Sequence, residues 1–350
     1  PSIRAAENAF GAGARLTLNG TTIRATQPTT TFLTVDSTNQ AYLGSNGARF
    51  DTNGNNISVG IRLLDVASQA GTLTKLGGGT LTLTNAANSF SGGTTISQGQ
   101  LTIDAQGNQT QSALGANRPL VVASGATLRL ARTDSLGFYG ANPSSMQIAG
   151  TMTIAPGFHS SVAHSGITLD GGLITSEGVG SGSGNYILDG AITTLANVNS
   201  AVINANRILL RNFSGGSGGG QSVTFQVADG AAATDLLVTS TLANGNGANG
   251  ILKAGPGTMQ LSGTNTYTGP TTVRGGSLNL IGSIAGGSDL IVADAGTGAL
   301  MTNAGTLVRN AVTLGTGTNS VGALTQSSGS TTATFLHLGL SPASYGALKV

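Results

Sequence analysis

Apolar and polar residues alternate along most of this chain, in runs of four to six that Gly, Asn or Asp cut short. Arg15-Leu16-Thr17-Leu18, Gly79–Thr84, Ala126–Leu130, Thr151–Ile154 and Ser277–Leu280 each set Leu, Ile or Met against Thr, Ser, Arg or Asn. Period-two alternation of this length predicts short β-strands, buried on one face and wet on the other. Threonine suits the wet face, because its β-branch favours the pleat and its hydroxyl can pair one strand away. Helical periodicity is nearly absent, so the predicted class is all-β.

One phrase occurs twice. Lys75-Leu76-Gly77-Gly78-Gly79-Thr80-Leu81-Thr82-Leu83 continues through Asn88, Phe90, Gly92, Thr94-Thr95-Ile96 and Gly99 to Leu101. Lys253-Ala254-Gly255-Pro256-Gly257-Thr258-Met259-Gln260-Leu261 continues through Asn265, Tyr267, Gly269, Thr271-Thr272-Val273 and Gly276 to Leu278. The copies run in step as far as Leu83 and Leu261, then slip by one position before Asn88 and Asn265, so a single turn differs in length. Repeated short strands with glycine turns predict a solenoid. A smaller echo sets Thr168–Thr175 against Ile187–Thr193. Its spacing suggests a coil of about 20 residues, one rung of a parallel β-helix, which gives roughly 17 rungs. We expect one continuous β-helix over residues 1–350, in two repeat modules of approximately 1–172 and 173–350, each carrying one phrase (75–101 and 253–278). An antiparallel sandwich would place hairpin dipeptides between matched strands; Asn19-Gly20, Asp170-Gly171 and Asp189-Gly190 are not reliably flanked that way. The Gly/Ser tracts Gly178–Gly184 and Ser214–Gly220 read as loops extruded from rungs.

Charged residues are 8% of the chain while hydrophobic residues reach 39%, the reverse of a disordered composition. The 15 basic residues are scattered against 13 acids, with no run of three, so nucleic acid is not an expected partner. Without cysteine there is no disulfide framework and no thiolate metal site. No stretch nears the ~18 apolar residues of a spanning helix, so this segment is not expected to insert into a membrane. The opening Pro1–Glu7 lacks the apolar run of a signal peptide and reads as a processed or excised start. Neither end looks like a cap: Ala14–Ala25 alternates like an interior rung, and Tyr345–Val350 stops on an apolar strand. The expected partner is therefore a further rung, from flanking sequence or from another copy stacked end to end.

Candidate chemistry is sparse. Gly215–Gly219 matches G-x-S-x-G inside a Gly/Ser tract, and Gly245–Gly250 matches G-x-G-x-x-G ahead of a strand, so neither has the context its motif needs. The best acidic group is Asp170, Glu177 and Asp189, with His159 and His164 nearby in sequence. The short echo would stack Asp170 and Asp189 about 5 Å apart, a separation that paired carboxylates can use. Each also precedes glycine, as an ordinary turn aspartate does. Phe158, His159 and Tyr186 are the neighbouring candidates for a sugar platform. We expect no catalytic, cofactor or metal site.

Within the phrase, Leu81, Leu83, Ile96, Leu101, Met259, Leu261, Val273 and Leu278 should point inward, with Thr80, Thr82 and Gln260 outward. Asn88 and Asn265 should cap or ladder at a turn, and Phe90 and Tyr267 should cover the core at a corner. Lys75 and Lys253 read first as solvated or snorkelling side chains; the sharper reading has them recruit a partner or pair with a turn carbonyl.

The pattern K-x-G-x-G-T-[LM]-x-L, followed by Asn, an aromatic residue, Gly, T-T-[IV] and Gly, resembles the autotransporter-associated β-strand repeat of bacterial passenger domains and large surface proteins. Phe50–Val59 resembles the segment that often precedes it. The resemblance implies a right-handed parallel β-helix, export, and an extracellular or cell-surface location in a bacterium. On this reading the chain is a non-enzymatic stalk, fibre or adhesive surface, able to self-associate into filaments. Its Thr/Ser/Asn face would offer hydrogen bonds to surface glycans or to copies of itself. The alternative is a carbohydrate-active or glycan-binding β-helix. That would need an acidic groove with exposed aromatics, from a stock of 5 Tyr and 9 Phe.

Overall fold

A computed structural model describes residues 2–5, 15–33, 40–162, 165–178, 184–211, 221–295 and 298–350. The Gly/Ser tracts fall largely or wholly outside these residues. The chain is an all-β parallel solenoid of about 13 turns. A single short 3-10 turn, Tyr139–Ala141, is the only helix among the described residues. None is long and apolar enough to cross a membrane. Two compact units are present: Pro1–Ser165 with Thr175–Gly184, and Gly166–Ile174 with Asn185–Val350.

In the first unit one face stacks Thr21–Ala25, Ala48–Asp51, Thr72–Leu76, Gly93–Ile96, Pro119–Val122 and Ser145–Ile148, all parallel. A second face stacks Ile57–Val59, Thr80–Leu83, Gln100–Ile103, Thr127–Leu130 and Thr151–Ile154. A third carries Arg15–Leu18, Gln40–Leu43 and Arg62–Asp65. In-register pairing lines up identical chemistry. Ile57, Leu81, Leu101, Leu128 and Met152 form one inward column, with Val59, Leu83, Ile103, Leu130 and Ile154 beside it. All of these are at most 2% exposed.

The second unit repeats this plan. One face runs from Ile167–Leu169 through Ser222–Gln226, Gly250–Ala254, Thr271–Val273 and Leu290–Val292 to Thr306–Leu314 and Ser330–Leu338. Another runs from Ala201–Asn204 through Leu236–Val238, Thr258–Leu261 and Gly276–Leu280 to Tyr345–Lys349. Met259 and Leu261 are fully buried in its columns, and Gln260 lies outward, as the alternation predicts.

The rung count is corrected from roughly 17 to about 13. The short echo does not measure a rung: Thr168 pairs with Thr193, while Ile187 lies on another face beside Leu209. Rungs also differ in length, the one from Met259 to Leu278 being far shorter than the one from Ala201 to Leu236. Strand register is fixed by the core, whereas a corner loop can lengthen outward at little cost.

Leu83→Asp should lower the unfolding free energy by about 3–5 kcal/mol, since it leaves an unpaired charge in a thin core. Thr82→Asp, one residue away on the outer face, should cost less than about 1 kcal/mol in the same denaturation experiment.

Candidate functional site

The carboxylates do not converge. Within the second unit, Leu169 registers with Thr194 and Leu188 with Leu210, so Asp170 and Asp189 follow strands on different faces and the expected stack is absent. Asp170 accepts from Asn197 Nδ2 at 2.8 Å. Asp189, 2% exposed, accepts from Arg211 Nε at 2.5 Å and from its Nη2 at 2.6 Å. In the first unit Glu177 is held by Arg129 through two 2.7 Å bonds, and His159 Nε2 lies 3.9 Å from Asp134. His164 lies outside the described residues. Tyr186 is fully buried in the core, so it presents no ring to a sugar. No group of three or more metal-binding side chains occurs among the described residues.

The phrase itself builds the most unusual chemistry. Lys75 occupies the inward column Ile23, Phe50, Lys75, Ile96, Val122, Ile148, and it is 0% exposed. Its ammonium donates to the carbonyls of Leu76 (2.9 Å), Gly77 (2.7 Å) and Gln98 (3.0 Å), and to Thr52 Oγ1 (3.0 Å). Three consecutive rungs thus converge on one nitrogen. Lys253, also 0% exposed, sits in the column Phe225, Lys253, Val273, Val292, Leu314 and donates to the carbonyls of Gly255 (2.6 Å) and Gly275 (2.8 Å).

The solvated reading of both lysines is therefore replaced by the carbonyl-paired one. The chain bends out of the strand at this corner and turns carbonyl oxygens inward, where only a strong multiple donor satisfies them. A sequence signal for this existed: Lys75 shares the parity of Leu73, and Lys253 that of Ile251, so alternation already pointed both lysines inward.

The glycine at the next rung's corner completes the cage. Gly99 and Gly276 have φ of +64° and +63°. A Cβ on Gly99 would collide with Gly77 O, and one on Gly276 would lie 2.6 Å from Lys253 Nζ. Burial lowers both lysine pKa values to about 8, opposed by the charge of Asp51 for Lys75 and of Asp235 and Asp229 for Lys253.

The asparagines act in the same way at the next corner. Asn88 accepts the Leu63 N–H (2.9 Å) and donates to Ala113 O (2.7 Å), joining the rungs before and after its own. Asn265 accepts the Leu242 N–H (3.1 Å) and donates to Gly263 O and Ser283 O (both 3.0 Å). Phe90 and Tyr267 are fully buried. Sequence reasoning missed Arg309, 2% exposed, which donates to Gly286 O (3.2 Å), Tyr267 Oη (3.3 Å) and Thr271 Oγ1. Burial raises the Tyr267 pKa and lowers that of Arg309.

The passenger-associated-transport-repeat family model matches residues 73–103 and 251–280, which are the two phrases with their lysines and corner glycines. The likeness read from the sequence is thus shown for these repeats. The chain is similar to the adhesin BmaC autotransporter of Brucella suis biovar 1 (strain 1330), 29% identical over 313 residues. That match covers 76% of this chain, and the chain spans 9% of the relative's length. No solved structure matches significantly.

Lys75→Met keeps the length and loses the donors, and it should destabilise the fold by about 2–4 kcal/mol. The lysines also set a pH dependence. Unfolding returns each from about 8 to its ordinary 10.5, so the unfolded chain holds more protons throughout that window. Stability should therefore rise from pH 8 to 10.5, and these groups should add no slope below pH 7. The slope should be reduced in Lys75→Met and lost in the Lys75→Met/Lys253→Met double variant, read from denaturation midpoints across pH.

Proposed function

We propose that this chain is a non-enzymatic β-helical stretch of a bacterial cell-surface protein, serving as a stalk or adhesive surface. The observation that carries this reading is the pair of transport repeats, whose residues are spent on rung stacking. The adhesin name of the Brucella relative favours the same role. The ionisable groups that a hydrolytic site would need support it further, since Asp189 and Glu177 are each committed to an arginine. The outward columns are chiefly Thr, Ser, Gln and Asn, a surface suited to hydrogen bonding with glycans.

End-to-end stacking is part of the proposal. Ser330–Leu338 pairs along one edge with Thr306–Leu314. Leu336 and Leu338 (both 48% exposed) and Leu348 (41%) extend the buried columns of Val312, Leu314 and Leu324. A parallel rung, from flanking sequence or another copy, would cover these side chains and pair the free strand edge.

Protease or antibody added to intact cells of the native bacterium should reach this segment; a chain confined within the cell would overturn the surface reading. Polysaccharide panels should show no turnover, and activity lost on Asp189→Asn would favour the carbohydrate-active alternative. In analytical ultracentrifugation the isolated chain should associate with rising concentration. Leu336→Lys/Leu338→Lys should suppress this while Leu300→Lys, on the lateral surface, should not. A monomer at all concentrations would sink the stacking proposal.

A further inference from the structure

Three Asn-x-Ser/Thr triplets lie within the described residues: Asn19-Gly20-Thr21, Asn56-Ile57-Ser58 and Asn108-Gln109-Thr110. Such a triplet is the acceptor signal for a sugar on asparagine when it sits on an accessible loop of an exported chain. Their surroundings separate them. The Asn19 carboxamide accepts the Asn46 N–H of the next rung at 2.9 Å, and Thr21 is only 7% exposed. The Asn56 carboxamide accepts the Thr80 N–H of the next rung at 3.0 Å, and Ser58 lies within the strand Ile57–Val59. Both amides are part of the stacking and both triplets run into a sheet.

Asn108 differs in each respect. It lies in the excursion between strands Gln100–Ile103 and Pro119–Val122, and residues 108–111 are all exposed. Its carboxamide bonds only within this loop. Oδ1 accepts from Thr110 N (2.8 Å), Thr110 Oγ1 (3.0 Å) and Gln111 N (2.9 Å), while Nδ2 donates to Gln111 Oε1 at 3.0 Å. The turn therefore holds the hydroxyl of the third residue against the carboxamide of the first, on a tip that a transferase can approach.

We propose that Asn108 is a glycosylation acceptor and that the sugar donor is a glycosyl pyrophosphate, nucleotide- or lipid-linked. Nδ2 attacks C1 of the donor sugar, and the C1–N bond forms as the C1–O bond breaks. The pyrophosphate leaves with the bonding electron pair, and the amide nitrogen gives one proton to a base of the transferase. The Thr110 hydroxyl, hydrogen-bonded to Oδ1, positions the carboxamide during this step.

This inference rests on the surface reading, because an exported chain meets the transferase on its route. The test is mass spectrometry of the full chain from its native cells, separated into surface and internal fractions. The expected result is a glycan on the peptide containing Asn108, none on Asn19 or Asn56, and loss in Asn108→Gln and in Thr110→Ala. A single monosaccharide would indicate the nucleotide-linked donor, and a preassembled oligosaccharide the lipid-linked one. Surface chain with bare Asn108 overturns the proposal and leaves the surface reading standing. Modified chain found only inside the cell does the reverse. Equal occupancy at Asn19 or Asn56 would overturn the claim that loop geometry selects the site.

Discussion

In a parallel β-helix a single register governs two things at once, the hydrogen bonds between rungs and the stacking of side chains into columns. A slip of one residue would send every inward leucine to solvent. Ile57, Leu81, Leu101, Leu128 and Met152 occupy successive rungs of one such column, and their complete or near-complete burial shows how little slack it has. Corners are freer, because a loop can bulge outward without moving the strands it joins. Short and long rungs therefore coexist in the second unit, between Met259 and Leu278 and between Ala201 and Leu236.

The same bends carry a cost of their own. A chain that leaves a strand turns carbonyls and amides toward an interior without water, and each must find a partner. Lys75, Lys253 and Arg309 answer this with cationic donors that touch no carboxylate among the described residues. Asn88 and Asn265 answer it with amides that both donate and accept. Removing one partner leaves several oxygens bare, which makes such residues costly to change even where the net gain of keeping them is modest.

A chain with 8% charged residues has few ionisable groups to spend on chemistry. Several of its carboxylates are held in ion pairs: Arg129 with Glu177, Arg132 with Asp104, Arg211 with Asp189, Arg274 with Asp294. The exposed pairs contribute roughly 0–1 kcal/mol each, so stability lies mainly in the columns. What remains for function is a long surface of hydroxyls and amides together with whatever the loops display. That suits the stalk or adhesive-surface role proposed above.

Strand positions, the all-β class, the inward leucines and the solenoid itself were legible in the residues, because alternation and repetition are properties of a chain read in order. Even the inward direction of Lys75 was present as parity with Leu73, although a lone cation among glycines invites a solvated reading. The rung count and the neighbours of Asp170 and Asp189 were not legible, since the short echo joined strands that the fold sets on different faces. Corner length decides which strands meet, and no local pattern encodes it. The carbonyl cages were likewise decided by tertiary structure alone: Gln98 O reaches Lys75 Nζ from the next rung, and only stacking brings those atoms together.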